Sequence, residues 1–126
     1  MFGEPFNEYS GKPAEAIGKL LHERSGHVPK AIYKEGVGEI DFVWGEDGAS
    51  GYGLAHIVER RNADGIDGES FARAIPEIIC SGAVDLRHKE IGRIYISTDI
   101  AEVVIRLDWN GECKTWLVSA YRRKRK

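Results

Sequence analysis

The sequence predicts an α+β fold in which helices in the first two thirds of the chain pack on one face of a C-terminal antiparallel sheet. Before residue 82, apolar residues recur mostly at helical spacing, whereas from residue 84 onward apolar and polar residues alternate as in strands. Asn110-Gly111, between two alternating runs, is typical of a tight hairpin turn. Helices followed by a strand meander favour a helical layer on one sheet face.

Two segments, one near the N-terminus and one in the middle of the chain, have apolar residues at helical spacing. The first is predicted to end at Arg24 and to begin at Lys12 or Pro13, because proline suits the first helical position. The second covers residues 68–81, where Pro76 either kinks the helix or begins another short one.

The predicted strands are rich in β-branched and aromatic residues and are bounded by glycine or turn residues. They are residues 28–33, 38–45, 92–97, 102–109 and 115–121.

Length and charge limit the classes of protein that the chain can represent. Its 126 residues suffice for one domain, which we assign to residues 1–121, followed by a basic tail at residues 122–126. The tail carries +5 of an overall charge of −2, so the body carries about −7. An acidic body does not suit a non-specific nucleic-acid binder, so any RNA activity requires a local cationic site. The tail is either a solvated charge run or an arm that contacts phosphate.

The sequence gives no sign of a membrane segment, a metal site or a cofactor. No apolar run is long enough to span a bilayer, and the N-terminus lacks the pattern of a secretory signal. The histidines and cysteines have no metal-ligand spacing, so we expect neither metal nor cofactor. Cys80, inside an apolar helical pattern, is predicted to be a buried thiol, and it and Cys113 are expected to be reduced.

The segment from Gly51 to Arg61 is the strongest candidate for a functional site. His56 and Arg60, four residues apart, share one face of a predicted short helix. An imidazole and a guanidinium near a helix N-terminus suit an anionic ligand, since free amides and the helix dipole also favour negative charge there. The segment therefore points to phosphate chemistry. The opposite, core-facing stripe consists of Leu54, Ile57, Val58 and the stem of Arg61.

Other candidate binding residues flank this helix or lie on the last strand. Tyr52 either stacks on a base or anchors its loop against the core, and Gly53 would let a phosphate approach the backbone. Ser119 and Tyr121, two residues apart, share one sheet face and present two hydroxyls, although strand-end hydroxyls are also common. Lys114 is a further candidate cation. The opposite face of that strand is predicted to pack under the helices through Trp116, Val118 and Ala120.

Four motifs together resemble a known family. They are Phe2-Gly3-Glu4, the strand from Gly38 to Gly45, the segment Gly51-Tyr52-Gly53-Leu54-Ala55-His56-Ile57, and the closing Trp116-Leu117-Val118-Ser119-Ala120-Tyr121. In order and spacing they resemble a phage-associated nuclease-fold family within the barnase, EndoU, colicin and RelE-like group of toxin ribonucleases. The resemblance implies a small helical layer on an antiparallel sheet of about four strands.

The resemblance also implies metal-independent cleavage of tRNA or other structured RNA. In such cleavage the 2′-hydroxyl attacks the phosphate and leaves a 2′,3′-cyclic phosphate. His56 is the candidate general base, because an ordinary histidine pKa lies near working pH. Arg60 would stabilise the phosphorane charge, and the resemblance favours Arg61 for the same role. Relatives commonly carry threonine at Ser119 and often a second histidine at Arg61.

Two further hypotheses stand beside the toxin-like ribonuclease. One is a catalytically inactive phage or effector module that binds RNA or a protein partner, and the other is an α+β domain whose His56 is structural. For the ribonuclease we expect a monomer that acts in the cytoplasm of the producing or target bacterial cell. An immunity or antitoxin protein is an expected partner, and the domain is expected to form part of a phage-encoded polyprotein.

Overall fold

Four α-helices and six strands lie within residues 3–48 and 51–123, the part of the chain that the computed structural model describes. The helices are α1 (Pro13–Glu23), α2 (Gly53–Ala63), α3 (Gly68–Arg73) and α4 (Ile75–Ser81). The strands are β1 (His27–Lys34), β2 (Gly38–Val43), β3 (Ala83–Asp85), β4 (Arg93–Ser97), β5 (Ala101–Trp109) and β6 (Glu112–Arg122). Among these described residues, no helix is both long and apolar enough to span a bilayer.

The strands form one mixed sheet in the order β1-β2-β6-β5-β4-β3. Neighbours are antiparallel except β2 and β6, which run parallel and pair only at Asp41 and Trp116. The expected sheet of about four strands was therefore wrong in number, and its antiparallel direction was wrong at this one pairing. β3, with three residues, is too short for a clear periodic signal, and the pairing of β2 with β6 joins segments that are distant in the sequence.

The helices cover one face of the sheet, as the α+β prediction required. Buried side chains from α1, α2, α3 and α4 meet alternate residues of the strands in one apolar cluster. On the sheet side this cluster includes Ile40 and Phe42 of β2, Ile94 and Ile96 of β4, Val103 and Ile105 of β5, and Leu117 and Ala120 of β6. The opposite face, here called the open face, carries the residues that alternate with these, including Tyr95, Glu102, Val104, Ser119 and Tyr121.

Local sequence signals set several element boundaries. α1 begins at Pro13 and ends at Glu23, close to the predicted limits. Of the two alternatives at Pro76, the structure has the second short helix: the chain turns at Ala74 after α3, and Pro76 lies in the first turn of α4. The hairpin between β5 and β6 turns at Asn110 and Gly111, whose φ angles of 51° and 84° are those of the favoured hairpin turn.

A bulge in β6 changes which side chains face the helices. Val104 pairs with Ser119 and Ile105 with Leu117, which leaves Val118 without an opposing residue. Beyond the bulge the alternation is reversed, so Leu117 joins the apolar cluster and Trp116 does not. The prediction that Trp116 packs under the helices was therefore wrong.

Both cysteines and the first two residues of the basic tail lie in the described part of the chain. Cys80 and Cys113 are both free and exposed, so the prediction of a buried Cys80 was wrong. Cys80 lies near the end of α4 on the side that faces solvent, whereas the buried residues of this helix are Ile75, Ile78 and Ile79. Of the basic run at 122–126, Arg122 still belongs to β6, and residues 124–126 lie outside the described part of the chain.

Candidate active site

The amino end of α2 packs against the end of β2. Gly53, the first residue of α2, has a φ of 73°, and a Cβ atom at this position would lie 2.8 Å from the carbonyl oxygen of Trp44. The amide of Ala55 donates to that same oxygen at 2.7 Å. One of the amides that sequence reasoning assigned to an anion is thus bonded within the protein. This close packing of backbone on backbone explains why the residue at position 53 is glycine.

The loop before α2 is held by Tyr52. Its backbone pairs with Glu46, and its ring centroid lies 5.2 Å from that of Trp109 and 5.5 Å from that of Trp116. Burial, followed by the nearby Glu46 carboxylate, raises the pKa of the Tyr52 phenol. Of the two alternatives for Tyr52, the ring contacts match the anchor of the loop.

His56 lies in the first half of α2, with a side chain that is half-buried. Its Nδ1 is inaccessible to solvent and has no hydrogen-bond partner in the described part of the chain. Burial lowers the pKa of the imidazole below its usual 6.5, and the cations Arg60 and Arg61 lower it further, against an opposing effect of Glu59. The ring is therefore mainly neutral at pH 7, which is the form that can accept a proton.

The two arginines of α2 have different surroundings. Arg60 is exposed, whereas Arg61 is 8% exposed. Arg61 donates from Nη1 to the carbonyl oxygen of Ala120, and its Nε and Nη2 lie 3.1 and 2.9 Å from Asp64 Oδ2. The guanidinium of Arg61 is thus bound by protein groups, and that of Arg60 is accessible to a ligand.

The bond from Arg61 joins α2 to the strand that carries the two candidate hydroxyls. Ala120 stands between Ser119 and Tyr121, and α2 packs directly against β6. The structure therefore brings the helix of His56 and Arg60 beside this part of β6.

Tyr121 is held by Glu102, a residue that sequence analysis did not select. The Tyr121 hydroxyl donates to Glu102 Oε1, and Ser97 Oγ donates to Oε2 of the same carboxylate at 2.5 Å. Burial and this carboxylate raise the pKa of Tyr121 far above its usual range, so the phenol stays protonated. The polar alternation of β5 shows Glu102 as outward-facing, but only the register of β5 with β6 identifies Tyr121 as its partner.

Lys114 is engaged by a carboxylate on the neighbouring strand. Its Nζ lies 2.5 Å from Oδ2 of Asp41, and Asp41 Oδ1 accepts the amide of Lys30 at 2.8 Å. The side chain of Asp41 is only 16% exposed. Lys114 therefore helps to join β6 to β2. Within the described residues, no cluster of three or more histidine, cysteine or carboxylate side chains could hold a metal ion.

A protein-family model described as phage-Barnase-EndoU-ColicinE5/D-RelE like nuclease1 matches residues 31–126. The match runs from within β1 to the C-terminus and includes every candidate residue named above. The chain belongs to this family of barnase-, EndoU-, colicin- and RelE-like nucleases, which confirms the resemblance; three of the four sequence motifs lie within the match, and Phe2-Gly3-Glu4 precedes it. Neither the curated proteins nor the solved structures contain a significant match to the chain.

Proposed function

We propose that this protein is a metal-independent endoribonuclease that cleaves RNA by attack of the 2′-hydroxyl on the adjacent phosphate. The observation that carries the proposal is the neutral imidazole of His56, with a buried, unpartnered Nδ1, on a helix bonded to β6 beside Ser119 and Tyr121. Membership of a nuclease-like family supports the reaction class.

In the proposed reaction, His56 takes the proton of the 2′-hydroxyl as the oxygen attacks phosphorus. The bond from the 2′-oxygen to phosphorus forms, the bond to the 5′-oxygen breaks, and the 5′-oxygen is protonated from solvent. The products are a 2′,3′-cyclic phosphate and a free 5′-hydroxyl. Burial and the nearby arginines lower the pKa of His56, which favours the unprotonated form that this step requires.

The cation for the developing phosphorane charge is Arg60 in this proposal. Arg60 is exposed and lies one helical turn from His56, whereas the guanidinium of Arg61 already binds Ala120 and Asp64. Arg61 then acts as a positioning residue that fixes α2 against β6. A fixed donor near the site of charge development stabilises the transition state without reorganisation.

The hydroxyls of β6 have different parts in the proposal. Tyr121 is excluded as a general base because its raised pKa keeps it protonated and its proton is directed to Glu102. We assign Ser119 to hydrogen bonding with a phosphate oxygen, and Tyr121 to shaping the site with its ring. The substrate is tRNA or another structured RNA, and the protein acts as a monomer in the cytoplasm of the producing or target bacterial cell, with an immunity or antitoxin protein as its inhibitor.

The proposal is tested by incubating the purified protein with total RNA in EDTA and analysing the fragment ends. We expect discrete fragments that end in 2′,3′-cyclic phosphate, and loss of these fragments in the His56→Ala variant. His22→Ala is the matched control, because His22 lies in α1 and is exposed. Absence of cleavage, or equal cleavage by the His56→Ala variant, would overturn the proposal.

A second candidate is a catalytically inactive module that binds RNA or a protein. The buried Arg61 favours it, because at this position, where relatives often carry a second histidine, the side chain cannot transfer a proton. This alternative predicts RNA binding without cleavage, and expression that is harmless to cells with or without His56. A ribonuclease toxin should instead be toxic only while His56 is present.

A further inference from the structure

We propose that Tyr95 and His88, with Arg93 and Arg106 beside them, form a nucleotide-binding subsite on the open face of the sheet. The ligand would be single-stranded RNA, with one base stacked on the rings and an adjacent phosphate on the two arginines. The inference rests on the proposed function, because it assigns the place of a nucleotide that flanks the cleaved bond.

Strand register places Tyr95 on the same face as Ser119. Ser119 pairs with Val104, and Val104 pairs with Tyr95. Directly paired residues in a sheet point to the same side. Adjacent strands lie about 4.8 Å apart, so the Cα of Tyr95 is roughly 10 Å from that of Ser119. A strand of RNA at Ser119 would reach Tyr95 with its next one or two nucleotides.

The two rings form an open aromatic corner. The centroids of His88 and Tyr95 are 5.2 Å apart, and their planes meet at 68°. His88 is exposed and Tyr95 is half-buried. Aromatic faces accept any base, because every base has a π-face. A flat base resting on one ring would have its edge beside the other.

An unusual pair of like charges adjoins this corner. Arg93 and Arg106 are directly opposite each other on β4 and β5, and Arg93 precedes Tyr95 by two residues on the same face. Like charges in this position destabilise a sheet unless an anion neutralises them. In the part of the chain that the structure describes, Arg106 forms a partly exposed ion pair with Asp108 at 3.4 Å, and Arg93 is exposed. A phosphate between the two guanidinium groups would remove the repulsion.

The subsite is tested with a non-cleavable probe, a fluorescent single-stranded 2′-O-methyl octanucleotide, whose binding is followed by anisotropy. We expect Tyr95→Leu and His88→Ala each to weaken binding about tenfold, the cost of one lost stacking contact. Arg93→Ala should weaken binding and reduce the slope of log affinity against log salt by about one, since one phosphate contact is lost. Tyr33→Leu, at an exposed tyrosine of β1, is the control.

The outcomes separate this inference from the proposed function. Weaker binding by the Tyr95 and His88 variants supports the subsite even if the native protein cleaves no RNA. Equal affinity of these variants and Tyr33→Leu, or no binding by the native protein, overturns the subsite even if cleavage is observed. Because His88 is exposed, its variant tests the inference if Tyr95→Leu fails to fold. Tyr95→Phe keeps the ring and should bind as the native protein does.

Discussion

Replacement of Arg61 by alanine is expected to destabilise the fold far more than replacement of its neighbour Arg60. Three losses contribute. The buried carbonyl of Ala120 loses its donor, which costs about 1–3 kcal/mol. Alanine keeps Cβ, so two buried methylene groups of the stem are lost, and at about 0.8 kcal/mol for each group they contribute about 1.6 kcal/mol. The ion pair with Asp64 adds only about 0–1 kcal/mol, because that carboxylate is 55% exposed. We expect a loss of about 3–5 kcal/mol.

Urea unfolding, followed by circular dichroism, measures this loss in the free energy of unfolding. Arg60→Ala is the matched control and should stay within about 0.5 kcal/mol of the native protein, because its side chain is exposed. Arg61→Met retains most of the buried stem and should lose only about 1–3 kcal/mol, the cost of the unsatisfied carbonyl. Equal stabilities of the Arg60 and Arg61 alanine variants would refute the reasoning, as would a methionine variant as stable as the native protein.

Three further predictions concern pH, backbone packing and a partly buried ion pair. The kcat/KM for RNA should rise with pH, with a midpoint below 6.5. Burial and the nearby arginines lower the pKa of His56, and only the neutral imidazole accepts a proton. A midpoint at or above 6.5 would contradict the role of His56 as the base. In thermal or urea unfolding, Gly53→Ala should lower the free energy of unfolding by about 1–3 kcal/mol more than Gly65→Ala. Both glycines have a positive φ, but a Cβ atom crowds backbone atoms only at Gly53. Equal losses would contradict the importance of this backbone packing. In urea unfolding, Asp41→Ala should lower the free energy of unfolding by about 2–3 kcal/mol, because it removes an ion pair and a hydrogen bond to a backbone amide. Glu39→Ala, on the exposed side of β2, should change this free energy little. Equal losses in the two variants would contradict the stabilising role of the ion pair.

Local patterns predicted those parts of the fold that depend on nearby residues. The limits of α1, the hairpin at Asn110 and the buried stripe of α2 follow from proline position, turn chemistry and helical spacing. The order of the sheet does not, because β2 meets β6 through one pairing between distant segments. The face of Trp116 was also missed, since a single unpaired residue at Val118 reverses the alternation on which the prediction rested.

The candidate site was predicted as residue types and only partly as contacts. Helical spacing correctly placed the stem of Arg61 on the buried stripe and Arg60 outside it. The bond from Arg61 to Ala120 and the contact of Tyr121 with Glu102 need the relative position of separate elements, which spacing within one element cannot supply. Lys114 looked like a free cation because its partner, Asp41, lies on a strand whose pairing was not foreseen. The catalytic and binding roles themselves stay predictions.

The single pairing of β2 with β6 has a consequence for how the molecule assembles. On one side of that junction lies the hairpin of β1 and β2, and on the other the antiparallel ladder of β4, β5 and β6. Each side closes through local contacts, but joining them requires a long loop to close, which carries a larger entropic cost and slows folding. Side chains add to the joint: the ammonium of Lys114 on Asp41 links β6 to β2 directly. The guanidinium of Arg61 on Ala120 links β6 to α2, whose first turn is bonded to Trp44 at the end of β2. Contacts of charged side chains thus help to connect the two sides of the sheet where backbone pairing is reduced to one residue pair, next to the surface on which catalysis is proposed.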